Sequence, residues 1–110
     1  MTILCRLDEL EDPGSKGFEF GSGSSLRRFF IVRRGEKVFG YVNRCPHAGS
    51  TLDWNEDAFL DMTRNFIICA THGALFTIEQ GRCMAGPCRN RQLEPVPVEV
   101  VDGVVRLVPV

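Results

Sequence analysis

Every histidine in this chain follows closely on a cysteine. The segments "CPHAGS" (45–50) and "CATHGA" (69–74) repeat one arrangement: Cys45 with His47, then Cys69 with His72, with 21 residues between His47 and Cys69. Four soft or borderline donors in two pairs point to a metal centre. A thiolate and an imidazole two or three places apart in a tight loop can face one centre. Gly49 and Gly73 let the loops bend without a Cβ clash, and Pro46 stiffens the first. A β-like run precedes each pair, "KVFGYVN" before Cys45 and "NFIIC" ending at Cys69, which gives each loop a rigid mount.

Two cysteines and two histidines suit tetrahedral zinc. Zinc fingers, however, group like ligands together, and here each pair is mixed. A mixed pair suits a two-iron cluster in which two thiolates hold one iron and two imidazoles the other. A Cys/His nucleophilic site is a weaker alternative, since no third orienting group is evident.

The sequence resembles Rieske-type ferredoxins of the low-potential branch that serves oxygenases. "CPHAGSTL" and "CATHGALF" match the family's C-x-H-x-G and C-x-x-H-G loops. "EKVFGYVNRCPH" resembles the strand entering the first loop, and "GRCMAGP…LEPVPVEVVDGVVRL" the family's ending. The resemblance runs from about Ser25 to the end. It implies one [2Fe-2S] cluster per chain, with Cys45 and Cys69 on the inner iron and His47 and His72 on the outer, reducible one. Pro46, Gly49, Gly73, Gly86 and Pro87 would shape the surrounding shell. It also implies a one-electron carrier, with no catalytic residue of its own, that passes electrons from a reductase to an oxygenase docked at the His47/His72 edge. A Rieske-like accessory subunit of a reductase, such as nitrite reductase, and a zinc-stabilised interaction module are the alternatives.

Departures from the family refine this expectation. The high-potential branch carries an additional cysteine in each ligand loop and pairs the two. Ser50 and Thr71 stand there in this chain. Ala74 and Phe76 replace a serine and a tyrosine that donate hydrogen bonds to the cluster and its cysteine ligand. Without those donors the more negative reduced cluster is less stabilised, so a potential near the lower end of the Rieske range, about −150 mV, is expected. The gap between the loops is also a few residues long. The excess falls in "DWNEDAFLDM" (53–62), which adds four carboxylates and the apolar Trp54, Phe59 and Leu60. It reads as a surface loop or helical turn packing its apolar side, with a partner-docking feature as the alternative.

The remainder reads as one all-β domain over 1–110, of short antiparallel strands, with its cluster-binding part at about 43–88. "TILCRL" (2–7) is an opening strand, 8–17 a loop and "FEF" (18–20) a short strand. "LRRFFIVRR" and "KVFGYVN" form a hairpin on Gly35–Glu36. "ALFTI" leads into the turn "EQGR", "AGP" (85–87) is a turn or loop, and a last hairpin closes on Asp102–Gly103. Pro95, Pro97 and Pro109 place their stretches at strand ends or edges. Residues 51–65 are the one place for a helical turn.

Net charge is −1, so no nucleic acid partner is expected. Arg27–Arg28 and Arg33–Arg34 read as a solvated strand face, with an acidic-partner patch as the alternative. No apolar run approaches the roughly 18 residues of a membrane span, and the first residues lack signal-peptide character. A cytoplasmic monomer is the default expectation. In that compartment Cys5 reads as a buried apolar residue, and Cys83 and Cys88 as inert thiols, with a disulfide between them as the alternative.

Overall fold

The structure is a computed structural model and describes residues 3–20, 27–44, 59–69, 73–86 and 91–108. Among these residues ten strands follow in chain order: β1 (Ile3–Arg6), β2 (Gly14–Phe20), β3 (Arg27–Arg34), β4 (Lys37–Val42), β5 (Phe66–Ile68), β6 (Leu75–Thr77), β7 (Cys83–Ala85), β8 (Pro95–Val96), β9 (Val98–Val101) and β10 (Val104–Leu107). Among the described residues they make three antiparallel sheets, β1-β10-β9, β2-β3-β4-β8 and β5-β6-β7. The one helical element described is a 3-10 turn at Leu7–Glu9. No helix among the described residues is long and apolar enough to cross a membrane.

Strand β3 shows why these sheets stack. Successive side chains of a strand point to opposite faces, yet Phe29, Phe30, Ile31 and Val32 are all buried. Both faces of β3 are therefore covered. Phe30 and Val32 enter one core with Tyr41, Phe59, Ile67, Cys69 and Phe76. Ile31 enters a second core with Cys5, Leu10 and Val105. Four consecutive apolar residues bounded by arginine pairs are the sequence trace of a strand buried on both sides. The first core lies under the sheet that leads to Cys69, so β3 and β4 form the floor of the candidate site.

Both expected hairpins are present. Arg34 pairs with Lys37 across Gly35–Glu36, and Val101 with Val104 across Asp102–Gly103. Asp102 (φ 51°) and Gly103 (φ 75°) both take the left-handed conformation that a tight two-residue hairpin loop requires. Pro95 lies in β8 at the edge of its sheet, as its missing N–H demands.

Two expectations fail. Residues 14–17, read as loop, already belong to β2, whose partners in β3 run from Gly14↔Arg33 to Phe20↔Arg27. A strand at a sheet edge pairs through its backbone, so polar Ser15 and Lys16 are no obstacle. Gly14 turns into this strand so closely against the preceding loop that a Cβ there would lie 2.5 Å from the Glu11 carbonyl oxygen. The helical turn at 51–65 is absent from its described part. Leu60 instead bridges Ile67, and Asp61 N–H donates to the Phe66 carbonyl at 2.9 Å. The Asp61 carboxylate then accepts from Thr63 Oγ1 and from the N–H groups of Asn65 and Phe66. An aspartate that satisfies backbone donors ahead of it competes with helix.

Arg28, Arg33 and Arg34 have internal partners. Arg28 pairs with Glu19 at 3.3 Å and Arg34 with Glu79 at 2.7 Å. Arg33 is half-buried. Its Nη1 donates to the carbonyls of Leu7 (3.1 Å) and Leu10 (2.9 Å), and its Nε to that of Gly35 (2.8 Å). Arg33 thus gathers the end of the β3–β4 hairpin and the loop after β1. Arg33→Ala is expected to lower unfolding free energy by about 1.5–3 kcal/mol, the range for hydrogen bonds to a charged group. A urea titration checks this, and Arg33→Lys should recover only part, because an ammonium lacks the planar fork.

Candidate metal centre

Cys69 follows directly on β5. The β5–β6 ladder pairs Phe66 with Thr77, Ile67 with Phe76 and Ile68 with Leu75. It continues into the loop, where Cys69 N–H donates to the Ala74 carbonyl at 2.9 Å and Gly73 N–H to the Cys69 carbonyl at 2.8 Å. Gly73 (φ 68°) takes the left-handed conformation that closes this loop. The predicted second ligand loop is thus shut at its base by two backbone hydrogen bonds. Cys69 is fully buried and is not in a disulfide.

Strand β7 brings a second segment to the same place. Leu75 pairs with Ala85 and Phe76 with Cys83, with an irregularity between them. One residue further on, Gly86 (φ 99°) abuts the ligand loop: a Cβ there would lie 2.8 Å from Ala74 Cα. Sequence reasoning placed Gly86 in the shell of the centre, and its backbone packs on the residue that closes the Cys69 loop. It did not foresee the short strand β7, since "CMA" carries no alternation that marks one. Of the other predicted site residues, Cys45, Pro46, His47, Gly49, His72 and Pro87 lie outside the described residues, as do Ser50, Thr71 and Cys88.

Ala74 and Phe76 are both fully buried, in the same core as Cys69. Neither side chain has a hydroxyl, so neither can donate a hydrogen bond to a sulfur. Beneath them lies Tyr41, a residue that sequence reasoning did not single out. Its hydroxyl donates to the Ile78 carbonyl, just past β6. This ties the floor sheet to the ligand sheet. Burial, and then the nearby Glu79 carboxylate, push Tyr41 from its ordinary value of 10.0 up to about 12. Because the folded value is the higher one, the stabilisation is fully present below pH 10 and is lost as pH rises towards 12. Wild-type unfolding free energy should fall across that window by on the order of 2 kcal/mol more than that of Tyr41→Phe. Urea titrations of both proteins at a series of pH values check this.

The insertion read at 53–62 is described from Phe59 onward. Phe59 and Leu60 go inward. Phe59 stacks on Phe30 with centroids 4.2 Å apart and rings 5° from parallel, and Leu60 is buried. Phe59 N–H donates to Ser15 Oγ at 3.2 Å, and Arg64 pairs with Glu11 at 2.7 Å. Trp54 lies outside the described residues.

The remaining cysteines divide. Cys5 is a buried thiol, as expected, in the second core. Burial, and then Glu9, raise its pKa, which keeps it protonated and unreactive. Cys83, expected as an inert thiol, is disulfide-bonded. A reducing compartment was the reason for expecting a thiol, and compartment is not a property of the fold.

The donor chemistry fits a [2Fe-2S] cluster: a buried cysteine at the end of a strand, with backbone hydrogen bonds to Ala74 and Gly73 at the base of its loop, in a chain that repeats the Cys–His pattern once. Comparison with known proteins agrees. No curated protein matches the chain. Among solved structures, the ferredoxin of carbazole 1,9a-dioxygenase from Nocardioides aromaticivorans IC177 is similar, with 23% identity, a TM-score of 0.72, and coverage of 99% of this chain and 96% of that one. The Sphingomonas yanoikuyae B1 ferredoxin is 21% identical with a TM-score of 0.68, covering 97% and 95%. A chain from the complex of reduced oxygenase and oxidised ferredoxin in carbazole 1,9a-dioxygenase is 21% identical with a TM-score of 0.73, covering 96% and 99%. At these identities the likeness is one of fold. The sequence profile of the Rieske [2Fe-2S] domain matches residues 1–104, and the chain belongs to that family.

Proposed function

We propose that this chain is the ferredoxin component of an oxygenase system, taking electrons from a reductase and delivering them to the oxygenase. Its cluster cycles between two states that differ by one electron. Cys45 and Cys69 are read as the thiolate ligands and His47 and His72 as the imidazole ligands. Residues 43–88 are read as the cluster-binding part of a single unit. The observation that carries the assignment is Cys69, fully buried beside a loop closed on Ala74. Such a mount excludes water from the sulfur of Cys69. The chain acts as a carrier, a monomer with the chemistry left to its partners. The similar ferredoxins of dioxygenase systems support an oxygenase as the acceptor.

The test is chemical analysis of protein purified without air. About two irons and two sulfides per chain, no zinc, and a Rieske-type EPR signal after dithionite would support the reading. One zinc per chain and no colour after reconstitution would sink it. Redox titration is expected to give a midpoint near the lower end of the family's range, about −150 mV. Ala74→Ser, which restores a hydroxyl donor in the buried loop, should raise that midpoint by about 60 mV, the one-electron equivalent of one modest hydrogen bond favouring the reduced state.

A further inference from the structure

The disulfide at Cys83 has no part in the function proposed above. Cys5 and Cys69 are not in disulfides, so within one chain of five cysteines the partner of Cys83 is Cys45 or Cys88. A bond to Cys45 would consume a sulfur that a cluster needs as thiolate. We propose that Cys83 and Cys88 form a disulfide that closes the segment "CMAGPC" into a covalent ring and braces the second ligand loop.

The position of Cys83 explains what such a ring would do. Its residue pairs with Phe76 in the sheet that carries Cys69, and it is itself buried. Its sulfur lies 3.4 Å from the Ala85 carbonyl oxygen. Next in the chain is Gly86, whose backbone touches Ala74, and Ala74 holds the N–H of Cys69. The strand has only three residues, and Met84, Ala85 and Gly86 are all exposed. Among the described residues of this segment only Cys83 is buried, and exposed residues at the end of a short strand are where local opening begins. A covalent ring restricts the open states of the segment and so favours the closed one. The redox chemistry is thiol–disulfide exchange. A dithiol reductant attacks one sulfur, its two protons end on Cys83 and Cys88, and the reductant leaves as its own disulfide. Exchange with a low-molecular-weight disulfide runs the reaction backward. The cluster would then be more readily lost in the reduced form of the ring, a consequence that rests on the Rieske reading.

Arg82 and Arg89 make the test direct. Holoprotein purified without air is alkylated in denaturant without reductant and cut with trypsin. A single peptide, Cys83–Arg89, unalkylated and lighter by the two thiol hydrogens, is expected. An alkylated peptide, or one cross-linked to the peptide that begins at Cys45, overturns the pairing. Bleaching of the cluster by an iron chelator is then timed with and without a phosphine reductant. Wild-type protein should bleach about tenfold faster with the phosphine. The Cys83→Ala/Cys88→Ala variant should bleach at that faster rate in either condition. Equal wild-type rates with and without phosphine would overturn the bracing role, and needs no variant to fold. Absence of iron and sulfide would refute the Rieske reading while the peptide still decides the disulfide.

Discussion

Replacing Cys69 by serine is expected to leave the purified protein without its cluster, with iron and sulfide falling from about two of each per chain to less than about a tenth of that. The substitution is chosen to separate coordination from packing. Serine nearly preserves the volume of cysteine, so the buried site at the end of β5 and the backbone bonds between Cys69 and Ala74 and between Gly73 and Cys69 have no steric reason to change. The thiolate is lost, and an alcohol deprotonates far less readily than a thiol. Cys5→Ser is the matched control. Cys5 is also buried and also a thiol, but it lies in the second core, across β3 from the site. It should retain full iron and sulfide even if it lowers stability. Loss of the cluster in both variants would show that the effect is general destabilisation and would remove Cys69 from the ligand set.

The largest effect on stability is expected at Phe59. Phe59→Ala should cost about 3–5 kcal/mol, the range for deleting a buried aromatic side chain. That is a large share of the roughly 5–15 kcal/mol that holds a domain of this kind together. The side chain is 1% exposed and its ring lies flat on that of Phe30, itself fully buried on the floor strand. Removing it opens a cavity between the floor sheet and the segment leading into β5. Neither the Phe59–Ser15 hydrogen bond nor the Arg64–Glu11 ion pair can fill that cavity. The ion pair is exposed and contributes at most about 1 kcal/mol. Met62→Ala, three residues along, should change stability by less than about 0.5 kcal/mol, because Met62 is 99% exposed. Denaturant titration of the holoprotein variants checks both. A loss at Phe59 no greater than at Met62 would mean that the inserted segment is not part of the core.

These two residues illustrate different routes from sequence to structure. Cys69 was legible because chemistry restricts metal ligands to a few residue types, and the chain repeats a Cys–His pair while spending all its histidines on the pattern. Phe59 was visible as an apolar residue in an insertion, but its partner was not. Stacking on Phe30 joins positions far apart in sequence, and nothing local in either segment specifies the other. Gly86 lies between these cases. The family resemblance placed it near the centre, while its contact with Ala74 depends on the irregular pairing of β6 with β7.

By itself, the sequence determined the class of centre and the two tight hairpins, and it marked the two Cys–His segments as the candidate ligand loops. These follow from local chemistry: donor type and spacing, left-handed turn residues, and the period of a strand. Only the tertiary structure decided that polar residues 14–17 form an edge strand, that Asp61 replaces a helical turn with a hairpin, that Arg33 collects three carbonyls, and that Cys83 is bonded. Each depends on a partner distant in the chain, or on a backbone group that any residue carries. Side-chain identity does not encode such choices locally. They are settled when β3 acquires a core on each face and the remaining segments take the hydrogen bonds that position leaves open.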